Sequence, residues 1–172
     1  MAVAASKDPS RQLHLHGEAG TAALARRLAP VVRRGDVVAL WGDLGSGKTS
    51  FARALITALP SSDPTAEPEP VPSPTFTLVQ IYERRPAPVW HFDLYRIEDP
   101  EEALELGLEE ALAEAISLIE WPDRLGTLLP ADRLDLHFAF GAVESERDVK
   151  LHGKGRWEAR LAELSLEDTS LA

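Results

Sequence analysis

Cysteine is absent from the 172 residues, which excludes a disulfide framework and thiolate metal sites. Asparagine is absent too, and with it the Asn-Lys-x-Asp element by which GTPases read guanine. No apolar run approaches the roughly 18 residues of a membrane span, so no membrane partner is expected. No Lys/Arg-dense segment stands out, and 28 acidic against 18 basic residues give a formal net charge of -10. Such a balance is poorly suited to neutralising a phosphate backbone, and direct, strong nucleic-acid binding is not expected. Met1 to Ser10 lacks the basic flank and apolar stretch of a secretory signal, which makes a cytoplasmic location the default expectation.

What is present is the composition of a globular domain, 44% hydrophobic and 27% charged, with length enough for one core. The expectation is a single domain over residues 1–172, flexible at 1–11 and 167–172, with a Pro-rich surface loop at 60–72. Glu101, Glu102, Glu105, Glu109 and Glu110 alternate with Ala and Leu in a helical rhythm; a solvated helix face is preferred over a partner-binding surface.

Strand and helix signals alternate along the chain. Gln12–His16 and Val37–Trp41 read as strands, with a helix capped by Thr21 and running to about Leu28 between them. Lys48–Leu59 places Phe51, Leu55, Ile56 and Leu59 on one helix face. Thr75–Glu83 and Val89–Tyr95 are rich in β-branched and aromatic residues. Glu101–Ala115 is helical apart from a break near Gly107, Ile116–Glu120 is a short buried strand, Leu134–Phe140 and Asp148–His152 suggest a hairpin, and Arg156–Leu166 a closing helix. The pattern predicts an α/β fold, a mixed P-loop NTPase-like sheet covered by helices on both faces.

Gly42-Asp43-Leu44-Gly45-Ser46-Gly47-Lys48-Thr49 fits G-x-x-x-x-G-K-[ST] between an apolar strand and an amphipathic helix, the context that motif needs. Glycines let the backbone wrap so that its N–H groups face phosphates, assisted by the helix N-terminus, which Ser50 continues. Lys48 would meet the β/γ-phosphates and Thr49 the metal, which predicts ATP and Mg²⁺ as ligands. A bare glycine turn would require neither Lys nor Thr there.

A phosphate loop needs a carboxylate for the metal and a group to orient the attacking water. Asp93 lies within the apolar stretch His91–Arg96, where an acid faces a counter-charge, a metal or an open strand end. Glu120 ends the apolar run from Ile116, a Walker B form that carries an acid to the carboxyl edge of a sheet. Thr75, after Ser73-Pro74, is either a strand start or a hydroxyl that reaches the γ-phosphate as switch loops do. Trp121 either packs under the nucleotide or sits in the core. The five histidines, His14, His16, His91, His137 and His152, show no metal-ligand spacing such as H-x-x-x-H.

The loop motif, Ser73-Pro74-Thr75-Phe76-Thr77-Leu78-Val79, His91-Phe92-Asp93-Leu94-Tyr95-Arg96 and Ile119-Glu120-Trp121-Pro122, in this order, resemble the TsaE (YjeE) family over about Gln12 to Lys150. The resemblance implies an ATPase that works with TsaB and TsaD in making threonylcarbamoyladenosine beside the anticodon of tRNAs that read ANN codons, meeting tRNA only indirectly. It implies Mg²⁺ on Thr49 and Glu120, and it carries the H-x-D-x-Y-R motif onto His91, Asp93, Tyr95 and Arg96. It also suggests Glu18 and Arg147 as nucleotide contacts. Two features depart from the family pattern: the Pro60–Pro72 stretch is longer than the usual connection, and the acidic tail beyond Arg156 carries no recognised motif.

In this reading Lys48 neutralises phosphate charge, Thr49 and Glu120 hold the metal, Asp93 positions water or metal, and Thr75 responds to the γ-phosphate. One rival is a small-molecule P-loop kinase, for which Arg84-Arg85 is the only lid-like candidate. The other is a nucleotide-gated binding module with incidental turnover.

Overall fold

The computed structural model describes residues 10–166 and 170–171. In chain order the elements are β1 (Ser10–His16), α1 (Gly17–Leu28), β2 (Val37–Trp41), α2 (Lys48–Ala58), β3 (Val79–Tyr82), β4 (Val89–Asp93), α3 (Glu101–Glu105), α4 (Leu108–Glu114) and β5 (Ile116–Glu120). A 3₁₀ segment (Pro122–Leu128), β6 (Arg133–Phe140), β7 (Glu146–Lys154), α5 (Arg156–Glu163) and the two-residue β8 (Ser170–Leu171) complete them.

The eight strands form one sheet in the order β3-β4-β5-β2-β6-β7-β1-β8. β4, β5, β2 and β6 run parallel, while β7 is antiparallel to both β6 and β1, and β3 antiparallel to β4. All of β5 and all of β2 but its last residue are buried, which explains their near-continuous apolar character. Alternation of side chains sends Val38, Leu40, Ile116 and Leu118 to one face, beneath Leu24, Phe51, Leu55 and Trp157 of α1, α2 and α5. Val37, Phe92 and Ile119 face the other way, against Ala103, Leu108, Ala111 and Leu125. Helices therefore cover both faces, as expected.

Several boundaries shift. α1 starts at Gly17, and Thr21 is buried inside it instead of capping it. The expected strand Thr75–Glu83 shrinks to Val79–Tyr82, because Leu78 takes a positive φ of 66° and its N–H bonds Pro74 O at 2.7 Å, which closes a turn over residues 74–78. β4 stops at Asp93, whose Oδ1 accepts the Tyr95 N–H at 3.2 Å and bends the chain out of the sheet. The hairpin pairs Arg133–Phe140 with Glu146–Lys154, longer at both ends than expected, α2 ends at Ala58, and α5 ends at Glu163.

The expectation of flexible ends at 1–11 and 167–172 falls mostly outside the described residues. Within them, Ser10 and Arg11 belong to β1, and Ser170–Leu171 pair with it. The Pro60–Pro72 stretch is largely exposed but tied at its start, where Ser61 bridges to Arg84 and Ser62 N–H donates to Glu83 O at 3.2 Å. Glu101, Glu102, Glu105, Glu109 and Glu110 are all exposed.

Candidate functional site

Strand direction alone gathers the site. β2, β4, β5 and β6 end at the same edge of the sheet, β7 begins there, and β1 ends there. That edge therefore collects the loop after β2, Asp93, Glu120, the β6–β7 turn and the start of α1. Ligands in open α/β sheets bind at carboxyl edges of this kind. A cleft of about 480 Å³ opens there, large enough for a nucleotide. Its lining includes Glu18, Leu44, Gly45, Gly47, Lys48, Thr49, Ser50, Thr75, Asp93, Glu120, Trp121 and Arg147.

The loop is built by its glycines. Gly42 has φ 140°, and a Cβ there would come within 2.5 Å of Ser46 Oγ and 2.6 Å of the Phe138 carbonyl on β6. At Gly45, with φ 78°, an added Cβ would meet nothing within 4 Å, so only the dihedral would object. Gly45→Ala is therefore expected to cost about 1 kcal/mol, the left-handed penalty, and Gly42→Ala clearly more, since backbone cannot retreat as a side chain can. Thermal melts of the two variants check this; equal shifts would refute it.

Lys48 is buried and folds back over its own loop, donating to Gly42 O at 2.5 Å and Asp43 O at 2.8 Å, with its Nζ 4.2 Å from the centroid of the Trp121 ring. Burial lowers its pKa, against the opposing pull of Glu120, Asp93, Asp43 and Asp123. Asp43 and Gly42 contribute through backbone, and Ser46 is wholly buried with no partner for its Oγ among the described residues. The first N–H groups of α2, from Gly47 onward, have no intrahelical acceptor and face the cleft end of the helix.

The carboxylates meet as their register dictates. Asp93 on β4 pairs with Glu120 on β5, and Glu120 with Leu40 on β2, so both acids stand beside the loop. Thr49 Oγ1 donates to Glu120 Oε1 at 2.6 Å, and Glu120 Oε2 lies 2.7 Å from His91 Nε2. Thr75 Oγ1 donates to Asp93 Oδ2 at 3.1 Å and lies 2.7 Å from Ser73 Oγ. Thr75 is thus in the turn that precedes β3, four residues before that strand begins at Val79, which removes the strand-start reading. Thr49, Glu120 and Asp93 offer only hard oxygen donors, the set that suits Mg²⁺.

Trp121 is half-buried, with φ 57° and ψ 54°, a conformation unusual for a bulky residue. It packs between the Lys48 ammonium and the Tyr95 ring, whose centroid is 4.9 Å away, so it belongs to the cleft wall and to the edge of the second core cluster alike. Arg147 spends its guanidinium on carbonyls, donating to Ser46 O at 3.1 Å, Gly45 O at 3.3 Å and Glu146 O at 2.7 Å. It ties the β6–β7 turn to the phosphate loop while lining the cleft. Arg96 lies over the exposed Phe76 ring at 4.8 Å, outside the lining.

Gly17, Thr21, Glu144 and Ser145 also line the cleft, although no sequence motif marks them. Only the antiparallel return of β7 and β1 brings them there. Arg84 and Arg85, the lid candidate, sit at the opposite edge, in the β3–β4 connection, where Arg84 donates to Ile56 O at 3.0 Å and to Glu69 at 2.8 Å.

Fold and site define a P-loop NTPase-like α/β protein. The family model described as "Threonylcarbamoyl adenosine biosynthesis protein TsaE" matches residues 15–149, and the chain belongs to the TsaE family. It is similar to the tRNA threonylcarbamoyladenosine biosynthesis protein TsaE of Rickettsia bellii, 39% identical over 73% of this chain and 84% of that protein. Its likeness to the protein of the same description from Bacillus subtilis is 35% over 86% and 89% of the two chains. The crystal structure of Bacillus subtilis YdiB superposes with a TM-score of 0.71 at 26% identity, covering 90% of this chain and 92% of that one.

Proposed function

We propose that this protein is the Mg²⁺-dependent ATP-binding and hydrolysing component of the machinery that makes tRNA threonylcarbamoyladenosine, acting with TsaB and TsaD. The observation that carries the ATP reading is the 2.6 Å contact of Thr49 with Glu120 at the mouth of a strand–loop–helix phosphate cradle. Membership of the TsaE family supports the tRNA-modification reading.

Lys48 and the loop amides bind the phosphates and offset charge that develops on them. Thr49 and Glu120 would hold Mg²⁺, with Asp93 beside them. Bound there, the ion would supply positive charge that offsets the charge of the phosphates. Asp93, already joined to Thr75, positions water or metal and ties the 74–78 turn to the γ-phosphate side of the cleft. Glu18, Trp121 and Arg147 complete the nucleotide contacts.

Partner docking at the mouth of the cleft is supported by its apolar rim. Leu44, Tyr95, Phe76, Phe140 and Val143 are exposed, and each lines the cleft or adjoins a lining residue. Large exposed apolar groups collected at one mouth mark an interaction surface. With a net charge of -10, the chain would reach tRNA through those partners in the cytoplasm, not by gripping it directly.

The test is phosphate release by the purified protein, alone and with TsaB and TsaD, comparing wild type with Lys48→Ala and Glu120→Ala. Slow turnover that partners stimulate and both variants lose is the expected result. Phosphoryl transfer to a small metabolite without such stimulation would replace this reading with a kinase. Partner binding that needs ATP yet survives Glu120→Ala, with no turnover in wild type, would replace it with a nucleotide-gated module.

A further inference from the structure

His91 is buried to 0% exposure, and its Nε2 lies 2.7 Å from Glu120 Oε2 while its Nδ1 has no partner among the described residues. A histidine kept in a core for packing ordinarily has both nitrogens satisfied, so a half-satisfied one calls for another explanation. Its place in the sheet supplies it. His91 and Asp93 stand two residues apart on β4 and so share a face with Val89, the face covered by α2 and its Thr49. Glu120, two residues beyond Leu118 on β5, points to that same face.

Glu120 is held at both oxygens. Oε1 accepts from the Thr49 hydroxyl at 2.6 Å, on the cleft side, and Oε2 rests on the His91 ring on the core side. Without His91, a carboxylate that is 2% exposed would keep one oxygen free to turn. We propose that His91 is a positioning residue that fixes the rotation of Glu120, so that Oε1 stays beside Thr49 and the pair is preorganised for a divalent cation. This rests on the Mg·ATP reading above and assigns the metal dependence of binding to a side chain that never lines the cleft. Hydrogen-bond partners of metal-binding carboxylates typically change metal affinity by about 10–100-fold when removed.

The experiment uses the full chain and two binding measurements: a fluorescent ATP analogue with EDTA or Mg²⁺, and Mn²⁺ affinity by electron paramagnetic resonance with a non-hydrolysable ATP analogue. Three variants are compared with wild type. His91→Gln keeps an amide N–H at the reach of Nε2, His91→Asn is polar but too short, and His91→Phe keeps the ring without a donor. Asn and Phe are expected to lose about tenfold in Mn²⁺ affinity, with nucleotide affinity in EDTA within about twofold of wild type, while Gln restores most of the loss. Because Asn and Gln are equally polar, their comparison stands even if Phe does not fold. Wild-type Mn²⁺ affinity in Asn, equal losses in Gln and Asn, or equal losses with and without divalent ion would each overturn the inference. Wild type that binds no ATP at all would instead overturn the reading on which it rests.

Discussion

Under the proposed ATPase function, Lys48→Met is expected to lower ATP turnover by about 10²–10³-fold, the usual scale for removing one charged or preorganised donor from developing phosphate charge, without lowering the stability of the nucleotide-free protein. The two halves of that result have one cause. Lys48 is 4% exposed, and burial has already lowered its pKa, so its ammonium costs the empty fold free energy. Its bonds to Gly42 O and Asp43 O and its seat on Trp121 offset part of that cost. Methionine keeps the unbranched stem within the same space and removes the buried charge. Such a site trades stability for function. Phosphate release and thermal melting in the absence of nucleotide check the two halves separately. A variant that melts well below wild type would mean that Lys48 holds the loop together, not the phosphates.

Asp135→Ala is expected to destabilise the protein by about 3 kcal/mol at neutral pH, on the scale of breaking a buried ion pair. Asp135 on β6 is 2% exposed and accepts from Arg133 Nε at 2.8 Å and Trp41 Nε1 at 2.8 Å, with Lys154 Nζ at 3.3 Å. It thus links β2, β6 and β7 at one point. Burial pushes its pKa up, but Arg133, Trp41 and Lys154 together outweigh that and hold it below 3.8. The sign follows. A carboxyl with a depressed folded pKa contributes stability fully above its unfolded value and loses it as pH falls through the folded pKa. The gap between wild type and Asp135→Ala should therefore be full near pH 7 and shrink in acid below about pH 3.8. For a chain of this length about 3 kcal/mol corresponds to a melting shift of roughly 6–12 °C. A gap that does not change with pH would mean that packing, not charge, is what alanine removes.

The phosphate loop is legible in the sequence because its chemistry is local. Gly42, Gly47, Lys48 and Thr49 must stand at fixed spacings for a backbone to wrap an anion, and the flanking strand and helix are written in the residues directly on either side. Glu120 is legible for a related reason, since an acid at the end of an apolar run is costly unless the strand ends in a site. The 74–78 turn is not legible, because β-branched residues after Pro74 suggest strand, whereas the Leu78 backbone, at φ 66°, is fixed by closure onto Pro74. Nor is the start of α1, because Thr21 has the chemistry of a cap, and yet the helix begins at Gly17, directly after β1, with Thr21 a full turn inside it.

The sequence alone determined the α/β class, the glycine-rich loop before α2, the two acids beside it and the family, because each rests on short-range pattern or on motifs in order. Only the tertiary structure decided which residues share the cleft across long separations. Arg147 reaches Ser46 and Gly45, and Ser145 accepts the Gly17 N–H at 2.7 Å, because β7 and β1 return antiparallel to the parallel centre. Arg84 and Arg85 are excluded because β3 and β4 turn at the far edge. Strand direction is set by how the whole sheet buries its two faces, and no local stretch of residues records it.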